Sequence, residues 1–79
     1  MDKRLADVLS GVFGLRPGEI SMELRKDDVE SWDSLKQMDL VLSLEKEYAV
    51  VLDIPDIIRM TSVADIAAVL MDKGVKLGD

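Results

Sequence analysis

The sequence predicts an all-α domain, a four-helix bundle with a long connection between helices 1 and 2 and a short third helix. Three observations predict it. Apolar residues recur at helical spacing in segments 5–13, 35–48 and 63–70. Residues suited to start or stop helices stand between those segments, among them Gly14, Asp53, Pro55, Ser62 and Gly74. The only strand-like run, Val50-Val51-Leu52, has no second strand to pair with and reads as a short apolar connection. With 79 residues, 48% of them apolar, the chain is expected to be one small folded domain over 1–79, without room for a deep catalytic cleft.

Helix 1 is predicted over 2–14. Leu5, Val8, Leu9, Val12 and Phe13 form one buried face, Asp2 suits the N-terminus, and Gly14 suits the stop. An irregular segment over 15–33 follows, opened by the turn signal Arg16-Pro17-Gly18-Glu19. Ile20, Met22, Leu24, Val29 and Trp32 are its expected anchors, and the charged cluster Glu23, Arg25, Lys26, Asp27 and Asp28 is expected to be solvated. Connections this long are uncommon in compact domains and often carry function.

Helix 2 is predicted over 34–49. Lys36, Asp39, Ser43, Lys46 and Glu47 share a polar arc. Leu35, Met38, Leu40, Val41, Leu42, Leu44 and Tyr48 occupy most of the rest. So wide an apolar arc needs several neighbours, or part of it meets a ligand or partner. Helix 3 is predicted over 54–60, with Pro55 in its first turn. Helix 4 is predicted from a cap at Ser62 to Asp72, burying Val63, Ile66, Ala67, Leu70 and Met71. Residues 75–79 are expected to fray.

Composition narrows function. The chain has no cysteine and no histidine, which removes disulfides, thiolate nucleophiles, imidazole bases and most transition-metal sites. Asp27-Asp28 and Glu45/Glu47 lack the spacing of an EF-hand loop, so no metal site is predicted. A net charge of −6 disfavours nucleic acid and anionic lipid and favours basic protein partners. No apolar run approaches the ~18 residues of a membrane span, and Met-Asp-Lys-Arg-Leu-Ala-Asp lacks a signal-peptide core. A soluble, cytoplasmic monomer is expected.

Ser34 stands at the junction of the loop and helix 2. Asp33 or Ser34 suits the cap of helix 2, and Ser34-Leu35-Lys36-Gln37 fits a capping box with Gln37 at the third position. A helix start also presents unpaired N–H groups and partial positive charge, so a serine there tolerates an attached phosphate. An autonomous hydrolase using Ser34 lacks a base, since adjacent Asp33 cannot converge on it.

Asp33-Ser34-Leu35, followed by Met38, Asp39, Leu40, Val41, Leu44, Glu45, Glu47 and Tyr48 and then by Thr61-Ser62-Val63, resembles the acyl carrier protein family. The resemblance spans the domain in helix order and is most specific over 33–63. It implies that a phosphopantetheinyl transferase esterifies Ser34 with 4′-phosphopantetheine from coenzyme A. The arm then supplies the thiol that the chain lacks, and acyl groups ride on it as thioesters to partner enzymes of fatty acid, polyketide or related lipid biosynthesis. The protein itself is then not an enzyme. The resemblance further implies partner recognition along helix 2, through Asp33, Leu35, Lys36, Asp39, Leu42, Glu45 and Lys46, with Glu47 keeping the same acidic character. It also makes Met38, Leu44, Tyr48 and Met60 candidates for lining an acyl pocket, beside an ordinary packing role for each. Lys36 and Lys46 depart from the family's most acidic members, and Trp32 replaces the small residue that often precedes Asp-Ser-Leu. These departures point to a specialised rather than a housekeeping carrier. Within the class the alternative is an aminoacyl or peptidyl carrier; outside it, an unmodified acidic helical adaptor.

Overall fold

In a computed structural model that describes residues 1–78, four helices run in the predicted order: α1 (Lys3–Phe13), α2 (Ser34–Tyr48), α3 (Ile54–Arg59) and α4 (Val63–Asp72). The Asp2 carboxylate caps α1 by accepting the Leu5 N–H at 2.8 Å. Gly14 ends the helix at φ 68°, a left-handed conformation that glycine adopts without a Cβ clash. Leu5, Leu9, Val12 and Phe13 are buried as the periodicity predicts, joined by Ala6, while Val8 is half-buried.

The long connection is more ordered than an irregular loop. It contains two short 3-10 turns, Pro17–Glu19 and Lys26–Asp28. Ile20, Val29 and Trp32 anchor it in the core and Leu24 is half-buried, whereas Met22 stays 40% exposed at the rim of a hollow it lines with Leu5, Ala67, Met71 and Leu77. The charged cluster is solvated only in its side chains. Its backbone pairs with the α3–α4 link: Lys26 N–H donates to the Thr61 carbonyl at 2.9 Å, and Val63 N–H to the Leu24 carbonyl at 2.9 Å, around an antiparallel bridge between Arg25 and Ser62. These bonds satisfy groups that a free loop would leave to water.

Leu40, Val41 and Leu44 give α2 its buried stripe. The helix ends at Ala49 in a left-handed conformation, φ 53°, where no glycine is available. No residue of α3 is fully buried; Ile57 packs half-buried on the core, and Leu52 and Met60 hold the two ends. α4 is capped by Ser62, whose Oγ accepts the Asp65 N–H at 3.0 Å. Asp65 reaches back to the N–H and hydroxyl of Thr61. Val69 takes the place in the buried stripe expected for Met71, which is exposed. The tail does not fray over its described part: Val75 and Leu77 pack on the core, and Gly78 N–H donates to Asp2 at 2.6 Å.

Candidate functional site

The start of α2 is fixed from three directions. Ser31 Oγ donates to the Phe13 carbonyl at 3.0 Å, tying the end of the loop to the end of α1. Trp32, only 3% exposed, stacks on Phe13 with ring centroids 4.5 Å apart. Asp33 has extended backbone and its carboxylate accepts the Lys36 N–H at 2.9 Å, so Asp33 is the N-cap. The predicted box through Ser34 and Gln37 is therefore not formed. Gln37 is drawn elsewhere: its Oε1 accepts the Trp32 indole N–H at 2.6 Å, and its Nε2 donates to the carbonyls of Ile57 at 3.0 Å and Met60 at 3.2 Å.

Ser34 thus occupies the first position of α2, exposed, with its hydroxyl released from capping. The other hydroxyls are placed differently. Ser10, Ser31 and Thr61 are engaged in hydrogen bonds, Ser62 is buried as the α4 cap, and Ser43 lies half-buried in mid-helix. Ser21 is exposed but sits in the turn region of the connection. Among the described residues, only Ser34 places an exposed hydroxyl in the first turn of an α-helix, where unpaired N–H groups and the helix dipole favour a phosphodiester.

Beside Ser34, the apolar arc of α2 is left uncovered on one side. Leu35, Met38 and Leu42 are 80%, 51% and 61% exposed, and Ile54 and Ile58 of α3 are 69% and 70% exposed. Leu40, Val41 and Leu44 take the cover of the bundle, so the helix is both central and open. The charged candidates separate by environment. Lys36, Asp39 and Lys46, with Leu42 at its edge, line a cleft of about 770 Å³ between α1 and α2. Glu45 is turned away from that face and accepts the Leu52 N–H at 2.9 Å, holding the connection to α3. Glu47 pairs with Arg4 at 2.6 Å.

The four candidate pocket residues do not share one surface. Leu44 and Met60 are fully buried, and Met38 stands outside. Tyr48 is half-buried under the Arg4 guanidinium, 4.6 Å from its ring centroid. Its hydroxyl is buried without a partner among the described residues, and burial pushes its pKa above the ordinary value.

A family profile described as "Phosphopantetheine attachment site" matches residues 3–70, nearly the whole chain. The chain belongs to this family. It is a carrier domain of the acyl carrier protein type, which holds 4′-phosphopantetheine covalently and is not itself catalytic. The solution structure of a holo acyl carrier protein from Geobacter metallireducens superposes with a TM-score of 0.78 at 28% identity, covering 87% of this chain and 79% of that one. No curated protein matches the chain. Carrier domains of this type are modified by a phosphopantetheinyl transferase and interact with biosynthetic enzymes. Among the described residues no helix of this one is long and apolar enough to cross a membrane.

Proposed function

We propose that Ser34 carries the 4′-phosphopantetheine of this carrier domain, and that 1–79 acts as a single cytoplasmic, monomeric acyl carrier. The observation that carries this reading is the exposed Ser34 hydroxyl in the first turn of α2, with Asp33 doing the capping. The bound arm supplies a thiol, so acyl groups are held as thioesters. The chain's own residues contribute the rest. The helix start stabilises the phosphodiester. The uncovered stripe of Leu35, Met38 and Leu42 meets partner enzymes, with Asp33, Asp39 and the less exposed Glu45 supplying acidic contacts. An acyl chain enters between α2 and α3 past Met38 and reaches Leu44 and Met60, with Tyr48 toward the far end; the flexible Met60 side chain yields to it.

The partners of this reading are enzymes of fatty acid, polyketide or related lipid biosynthesis with basic docking surfaces. Lys36 and Lys46 make the outer face of α2 mixed in charge and restrict that set, which makes this a specialised carrier. The deciding test is a mass measurement after incubation with coenzyme A and a promiscuous phosphopantetheinyl transferase. One phosphopantetheinyl group is expected on the wild type and none on Ser34→Ala. A wild type that gains nothing from several transferases would instead be an unmodified adaptor.

A further inference from the structure

α3 is the least anchored helix of the bundle. None of its six residues is fully buried, only Ile57 packs half-buried on the core, and its ends hang on Leu52 and Met60. On its α4 side it is held by an exposed ion pair, Arg59 with Asp72 at 3.0 Å, which constrains a helix weakly, and by the less exposed Lys73, 2.8 Å from Asp56 and 3.7 Å from Asp53. On its α2 side the Gln37 amide does more. Both carbonyls it reaches, Ile57 and Met60, belong to the last turn and cap of α3, where helix carbonyls lack i+4 partners. The same amide accepts the N–H of Trp32, which sits two residues before Ser34 and is wedged against Phe13.

We propose that Trp32 and Gln37 form a latch that sets the position of α3 against the start of α2, so that α3 and the Ser34 junction move or stay together. Gln37 is a positioning residue here and touches no reacting atom. All three of its hydrogen bonds are polar contacts of a partly buried side chain, so losing the amide leaves the indole N–H and the Met60 carbonyl to find other partners at once, and leaves the Ile57 carbonyl only the Met60 N–H at 3.2 Å. Opening the latch releases the C-terminal end of α3, the end next to Met60, which the acyl chain reaches. That last consequence rests on the carrier reading; the latch does not.

The test uses the unmodified full chain, so it stands apart from whether Ser34 accepts phosphopantetheine. Gln37→Met keeps the length and removes every hydrogen bond. Gln37→Glu keeps an acceptor for Trp32 and loses the donors to α3. Amide exchange at residues 57–61 is expected to rise by at least about tenfold in both, with α1 and α4 amides unchanged. Trp32 is the only tryptophan, and its emission is expected to shift in Gln37→Met but not in Gln37→Glu. Trp32→Phe removes the indole donor along with some buried volume, leaves both Gln37 donors to α3 in place, and should speed exchange at 57–61 by a smaller factor than Gln37→Met. Unchanged exchange at 57–61, or an equal rise in every helix, overturns the latch. If Gln37→Met fails to fold, Gln37→Glu decides by the same criterion.

Discussion

The Asp33 carboxylate accepts the Lys36 backbone N–H at 2.9 Å, so the cap of α2 is made one residue before Ser34. Capping is thereby separated from Ser34, the proposed attachment residue. Asp33→Ala is expected to cost about 1 kcal/mol of stability, whereas Asp33→Asn retains most of it. Ser34→Ala is expected to stay within about 0.5 kcal/mol of the wild type. Urea unfolding of the three variants checks this; a Ser34→Ala loss as large as that of Asp33→Ala would return the cap to Ser34.

Ala49 ends α2 at φ 53°, where its Cβ crowds the following carbonyl. Ala49→Gly removes that clash at the cost of a more flexible unfolded chain. A net gain of about 0.5–1 kcal/mol is expected, read as a higher midpoint in thermal unfolding. A lower midpoint would mean that the left-handed cap carries no strain.

The buried Tyr48 hydroxyl lacks a partner among the described residues. Tyr48→Phe keeps the ring under Arg4 and removes the orphan group. The substitution is expected to be neutral or stabilising by up to about 1 kcal/mol. A loss above about 1 kcal/mol in denaturant unfolding would show that the hydroxyl is hydrogen-bonded in solution.

Acid should weaken the fold through Asp2, Asp56 and Asp65. Main-chain N–H groups of Gly78 and Leu5 hold the Asp2 carboxyl below its ordinary 3.8. Lys73 does the same for Asp56 and the Thr61 hydroxyl for Asp65. Because these folded-state values are depressed, the stabilisation is fully present above the ordinary value of 3.8 and is lost as pH falls below it toward the folded-state values. A plot of thermal midpoint against pH should drop in that acid range. Asp65→Asn should lower stability at neutral pH and flatten the drop. An unchanged slope would remove Asp65 from the set.

Lys36 and Lys46 line the α1–α2 cleft together with Leu42 of the open stripe. If they restrict partner choice, Lys36→Glu with Lys46→Glu should raise kcat/KM with a housekeeping fatty-acid-synthesis enzyme by about tenfold through faster encounter. The gain should shrink at high salt. Wild-type activity already equal to that of the housekeeping carrier would remove the specialised reading.

Much was written in local sequence. The 3.6-residue pattern marks α1, α2 and α4, and local signals, the caps Asp2, Gly14 and Ser62 and the first-turn Pro55, mark where they and α3 begin or end. Asp-Ser-Leu at the start of a long helix locates the candidate attachment serine. These features are legible because each depends on neighbours within one helical turn.

Tertiary structure decided which residues of the wide α2 arc are covered. Periodicity groups Leu35, Met38 and Leu42 with Leu40, Val41 and Leu44 as apolar; only the placement of α1, α3 and α4 buries the second set and leaves the first open. It likewise sent Gln37 to carbonyls 20 and 23 residues away, instead of into a local capping box. It also turned Glu45 to the Leu52 N–H and brought the charged loop backbone against the α3–α4 link. A polar side chain buried beside unsatisfied main-chain groups bonds to whatever the fold sets next to it, and sequence distance does not say what that is.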